Sequence, residues 1–198
     1  MKATNFNKTL HRAAGYTIDQ TILIVAVIAI LVTMIVGSVG WDLLTRAGST
    51  KLQSHLVQFE NAAGSFFSQY NLWPTQAAQG GGSNLNNNFR VLIEESALLA
   101  PLQGSGNFRN YLPAYVPDAG VVNHPFGSGT GVVRARALTE NGQTFLVFEL
   151  TEVPAEEFNR ADEGIDGRAD YQVGRLRAVQ NPANNQTVTL RYYGNVIG

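Results

Sequence analysis

The sequence predicts an α+β protein: one long N-terminal α-helix packed on a four-stranded antiparallel sheet. Three observations carry the prediction. A charge-free apolar run, 21–41, passes without a break into an amphipathic run that lasts to Tyr70. Trp73-Pro74 then stops the helix, because proline cannot continue one. The C-terminal third alternates apolar and polar residues around turn signals, the pattern of half-buried strands.

In chain order, Met1 to Gly15 carries Lys2, Lys8 and Arg12 and no acid. An ordinary secretory signal would pair such a basic start with an apolar region of only about 7–15 residues. The run after Tyr16 is longer. At 1.5 Å per residue it reaches roughly 30 Å, the thickness of a bilayer's hydrocarbon core. Bases before it and Asp42 after it place the N-terminus on the cytoplasmic side. Beyond it, Trp41, Leu44, Gly48, Leu52, Leu56, Phe59, Ala63, Phe66 and Tyr70 recur every three or four residues and form one apolar stripe. Together the two runs predict a helix of about fifty residues, roughly 75 Å long, whose second half carries a folded domain. The division is therefore 1–15 leader, 16–41 membrane helix, and 42–198 head, including the amphipathic stretch 42–73. Gly37 and Gly40 are weak helix formers and fit either a local distortion or close helix packing.

The run Gln79 to Asn88, rich in Gly and Asn, reads as a mobile loop. It lacks the Gly-Lys-Ser/Thr ending of a phosphate-binding loop. Phe89 to Leu99 reads as a short helix, and Gln103 to Gly129 as irregular connection. Val132–Thr139 and Thr144–Thr151 form a hairpin on Asn141-Gly142. Pro154 opens a helix to about Glu163, with Glu156 and Glu157 at its positive end. Asp166-Gly167 is a turn. Gly174–Val179 and Thr187–Tyr193 form a second strand pair around Asn181-Pro182. Phe66, Phe67, Tyr70, Phe145 and Phe148 are assigned to the core.

Composition excludes several functions. The formal net charge is −1, and without the leader 11 bases face 15 acids, so nothing points to nucleic acid. There is no cysteine, hence no disulfide and no thiolate chemistry. His11, His55 and His124 have no ligand spacing, and no hydrolase or zinc-protease motif occurs, so an enzyme is not expected. Asp162, Asp166 and Asp170, with Glu163, crowd a glycine-containing turn. Hard oxygens on such a turn suit calcium, while Arg160, Arg168 and Arg175 offer simple neutralisation instead.

The succession basic leader, Gly15-Tyr16-Thr17-Ile18, long apolar helix resembles the N-terminus of type IV pilins and of type II secretion pseudopilins. Phe59-Glu-Asn-Ala down to Trp73-Pro74 resembles the end of the pseudopilin helix, and Val153 to Arg177 loosely resembles a recurrent C-terminal segment of pilin-like proteins. The resemblance implies a pilin-like fold and cleavage by prepilin peptidase between Gly15 and Tyr16, with N-methylation of Tyr16. It also implies residence in the bacterial inner membrane, delivery to a pilus assembly platform, and a homo-oligomeric periplasmic or extracellular filament. Calcium in a C-terminal loop of major pseudopilins adds to the acidic-turn reading. The family carries a glutamate five residues into the mature chain, understood to pair with a neighbour's N-terminal amine, whereas this chain has Gln20 there and Asp19 beside it. Asp19 as stand-in, a subunit at a filament tip, and a different assembly register all remain open. The absence of cysteine leans toward a pseudopilin. Outside this class stands a bitopic periplasmic binding or sensor domain with an uncleaved anchor.

Overall fold

The computed structural model describes residues 18–198, and within that range the surroundings of every residue except 18–19, 36–49 and 82. Two compact units emerge, Met1–Leu43 and Leu44–Gly198. In the first, the described chain is helix α1, Ile18–Tyr70, which continues into the second.

The second unit is built on the stripe of α1. Leu52, Leu56, Phe59, Ala63 and Phe66 are all fully buried, as the three-and-four spacing dictates. Asn71, at φ 52°, turns the chain out of the helix. Pro74 then begins a short helix α2, Pro74–Ala77, where its missing N–H costs nothing, and Gln76 Oε1 accepts from the Trp73 N–H at 2.9 Å. Helix α3, Leu85–Arg90, follows. Strands β1 (Pro117–Asp118), β2 (Val121–Asn123), β3 (Val132–Glu140) and β4 (Gln143–Pro154) come next, then helix α4 (Ala155–Asp166) and strands β5 (Leu176–Ala178) and β6 (Thr187–Val196). All neighbouring strands are antiparallel, in the order β1-β2-β3-β4-β6-β5. Alternation sends Val133, Ala135, Leu146, Phe148, Leu150, Val188, Leu190 and Tyr192 to the core face. There Phe59 meets Phe89 edge-on at 5.1 Å and Phe148 at 5.6 Å.

The expected fold class needs correction. The sheet has six strands, not four. β1 and β2 pair through Ala119 (φ 46°) and Gly120 (φ 82°), a two-residue turn with both central residues left-handed. Strands of two and three residues are too short to show alternation, so 103–129 looked irregular. Among the described residues, no helix is long and apolar enough to cross a membrane. Within the expected membrane half, the side chains of 36–41 lie outside the described residues, and those of 20–35 are exposed.

Smaller expectations also shift. Helix α3 begins four residues before Phe89 and ends at Arg90, because Asn84 Oδ1 caps it by accepting from the Asn87 N–H at 3.2 Å. The expected loop 79–88 is therefore largely ordered, by a turn of 3-10 helix over Gly81–Ser83 and by α3. Asn141 (φ 52°) and Gly142 (φ 79°) make the expected hairpin turn. Helix α4 starts after Pro154 as read, and runs to Asp166, where Gly167 in left-handed conformation ends it. Phe66 and Phe148 are core. Phe67 is half-buried and stacks on Trp73, and Phe145 meets Tyr193 on the outer sheet face.

Candidate functional site

In the first unit, the surface of α1 is the distinctive feature. From Ile22 to Ile35, eleven large apolar side chains are 44% to 67% exposed. They occur at consecutive positions, so they cover the helix on every side instead of forming one stripe. The hydroxyl among them causes no polar break, since Thr33 Oγ1 donates to the Ala29 carbonyl at 2.8 Å. Fully burying such a side chain is worth roughly 1.5–3 kcal/mol. Half of that over eleven residues is on the order of 10 kcal/mol per chain, which an encircling apolar partner would release.

Gly15 and Tyr16 lie outside the described residues, as do Lys2, Lys8 and Arg12. Asp19 and Gln20 fall in the first turn of α1, about 100° apart around it. Gln20 is exposed, and the Asp19 side chain lies outside the described residues.

The acidic turn is brought together as expected, but its oxygens are used differently. Asp162, fully buried on α4, accepts the Asp170 N–H on Oδ2 at 2.8 Å. Asp166 accepts the N–H groups of Arg175 and Leu176 at 3.0 and 2.9 Å, one on each oxygen. Asp170 Oδ1 accepts from the Gln172 N–H at 3.2 Å. Calcium takes six to eight oxygens. Here one oxygen of Asp162, one of Asp170 and both of Asp166 already serve backbone donors, Asp162 Oδ1 is buried with no hydrogen-bond partner, and among the described residues no group of three or more His, Cys, Asp or Glu is arranged to hold a metal. The turn is organised by backbone donors. Its evident work is to tie the start of β5 to the end of α4. Burial, and then the charges of Asp166 and Asp170, push the Asp162 carboxyl up to about 7.

Of the arginines expected to neutralise this turn, Arg175 turns its side chain elsewhere. The Arg175 guanidinium reaches α1, where it grips both oxygens of Glu60 at 2.8 and 2.9 Å, and Tyr192 Oη donates to the same carboxylate at 2.7 Å. Arg177 grips Glu140 in the same bidentate way. His55 sits edge-on to Tyr115 and Phe126, and His124 is buried beside Phe126. Burial lowers both imidazoles below their ordinary value. Sequence reasoning missed the arginine-rich outer face of the sheet. Its signal was the alternation Val132-Val-Arg-Ala-Arg-Ala137, which places two cations on one face of a strand.

No family model, no curated protein and no solved structure matches this chain.

Proposed function

We propose that this protein is a structural subunit of a type IV pilus or pilus-like filament, assembled through the apolar run of α1. The observation that carries the reading is the set of eleven half-exposed apolar side chains on all sides of one helix. A helix apolar all round needs apolar neighbours all round. Sister helices in a bundle supply them, and the Gly15-Tyr16 element supports that choice of neighbour. On this reading prepilin peptidase cuts after Gly15, Tyr16 is methylated, and the subunit waits at the bacterial inner membrane before an assembly platform draws it into the polymer. The protein is not an enzyme; assembly is its work. The missing cysteine favours the pseudopilin branch, in which the filament serves type II secretion.

The test has two parts. N-terminal sequencing of the protein from membranes should begin at Tyr16. Electron microscopy of sheared surface or periplasmic filaments, with mass identification, should find this chain in them. A mature chain that starts at Met1 and never enters a filament would replace the proposal with an anchored binding or sensor domain. Gly15→Val should block cleavage, because a side chain obstructs close approach of the peptidase to the backbone. Normal removal of the first fifteen residues in that variant would sink the processing step.

A further inference from the structure

The outer face of the sheet has a charge balance opposite to that of the chain. Register sets Arg134 of β3 opposite Glu149 of β4, Glu149 opposite Arg191 of β6, and Arg191 opposite Arg177 of β5. Arg136 stands two residues along β3 and shares the face. Glu149 is the hub. Its Oε2 accepts from Arg191 Nε at 3.0 Å and from Arg136 Nη1 at 3.2 Å, while Arg134 Nη1 stands 4.0 Å from Oε1. Glu149 is 6% exposed, yet the three arginine side chains keep 35%, 28% and 32% of their surface in solvent. Arg177 is held by Glu140 and lies over the Tyr193 ring at 4.2 Å. Four arginines therefore face two glutamates. The surplus of +2 falls on Arg134, Arg136 and Arg191 around one carboxylate. Arg136 Nε is also buried with no hydrogen-bond partner, a costly state for a donor.

The rest of the chain has the complementary sign. It totals 14 bases and 15 acids. Taking away the four arginines and two glutamates of this face leaves 10 bases against 13 acids, or −3. Every copy thus carries both a cationic face and an anionic remainder. We propose that the Arg134–Arg136–Arg191 face docks on a carboxylate-bearing surface of a second copy of this chain. Arginine's planar fork suits such contacts, and Glu149 already shows how this cluster receives a carboxylate. Because the two surfaces differ, the contact is head-to-tail, and unless its rotation closes a ring it repeats as an open filament. The inference rests on the filament reading and adds to it a contact between heads.

The test uses the full chain in an uncharged detergent and as assembled filaments. Sedimentation should show self-association that weakens as NaCl rises from 50 to 500 mM. Arg134→Gln combined with Arg136→Gln should weaken it at least tenfold, while Arg134→Lys, which keeps the charge but loses the fork, should weaken it less than Arg134→Gln. Thermal unfolding of each variant is followed in parallel. Association lost at an unchanged melting temperature supports the contact. Should the double variant unfold early, Arg134→Gln alone serves, because Arg191 and Arg136 still hold Glu149. A salt-sensitive, Arg134-dependent dimer without any filament would sustain the contact and overturn the filament reading. Filaments that form equally well in the double variant would sustain that reading and overturn the contact. A chain monomeric at all concentrations, or one whose arginines bind acidic peptides or anionic vesicles but not each other, overturns it as well.

Discussion

At the scale of single residues, two buried titratable groups set opposite pH dependences. His124 Nδ1 accepts from the Phe126 N–H at 3.2 Å, so the proton sits on Nε2, which meets the Thr151 carbonyl at 2.6 Å. Protonating Nδ1 removes that acceptor. The folded value is lowered, so the imidazole's contribution is present above the unfolded value of about 6.5 and is lost as pH falls below it. The melting temperature should drop between pH 6.5 and 5, and His124→Gln should flatten that slope in a calorimetric pH series. Asp162 runs the other way. Its folded value, raised to about 7, gives a contribution present below the unfolded carboxylate range and lost as pH rises through 7. Asp162→Asn keeps an acceptor for the Asp170 N–H and carries no charge. It should raise the melting temperature by ~2–4 °C at pH 8, about 1 kcal/mol for a chain of this size, and change little at pH 4. An unchanged melting temperature at pH 8 would show that Asp162 is already neutral or well solvated there.

At the scale of elements, the join between α4 and β5 depends on one glycine. Gly174 has φ 108°, and a Cβ there would run into the Asp166 carboxylate that receives the Arg175 and Leu176 N–H groups. Gly174→Ala should cost roughly 1–3 kcal/mol in denaturant midpoint through backbone strain alone. Phe59→Ala, at the meeting of α1, α3 and β4, should cost ~3–5 kcal/mol. Much of this level was legible in the sequence. The stripe from Leu52 to Phe66, the Asn141-Gly142 turn, the Pro154 helix start and the β5–β6 pair all follow local rules of period and turn chemistry. β1 and β2 were not legible, because strands this short are defined by partners far along the chain: Val122 pairs with Val133. The capping of α3 by Asn84 was hidden in a stretch whose composition resembles a linker. At the candidate sites, the sequence showed which carboxylates gather at 162–170 but not that backbone donors would occupy them. Nor did it show that Arg175 would leave that turn for Glu60, 115 residues away.

At the scale of the whole molecule, the prediction concerns α1. Placing a charge in the middle of its apolar run, as in Ile28→Lys, should abolish filaments without lowering the melting temperature of the second unit. That residue is 53% exposed, so the isolated fold loses nothing by the change, whereas a bundle of helices would have to bury an ammonium. Filaments of normal length from Ile28→Lys would remove α1 as the element of assembly. The margins of the sheet bear on how a filament of such subunits would be held. It begins and ends in stubs, β1 with two residues and β5 with three, and Asn88 Nδ2 fills the Ala135 carbonyl of β3 at 3.0 Å. The outermost strands offer only two and three residues of ladder, and where β3 runs on beyond β2 it is met by α3, through Asn86 and Asn88, at 134–135. The molecule can thus be crowded at high local concentration without sliding into amyloid. On the filament reading, its polymers should come apart in mild detergent, give no 4.7–4.8 Å meridional reflection in fibre diffraction, and leave thioflavin dark.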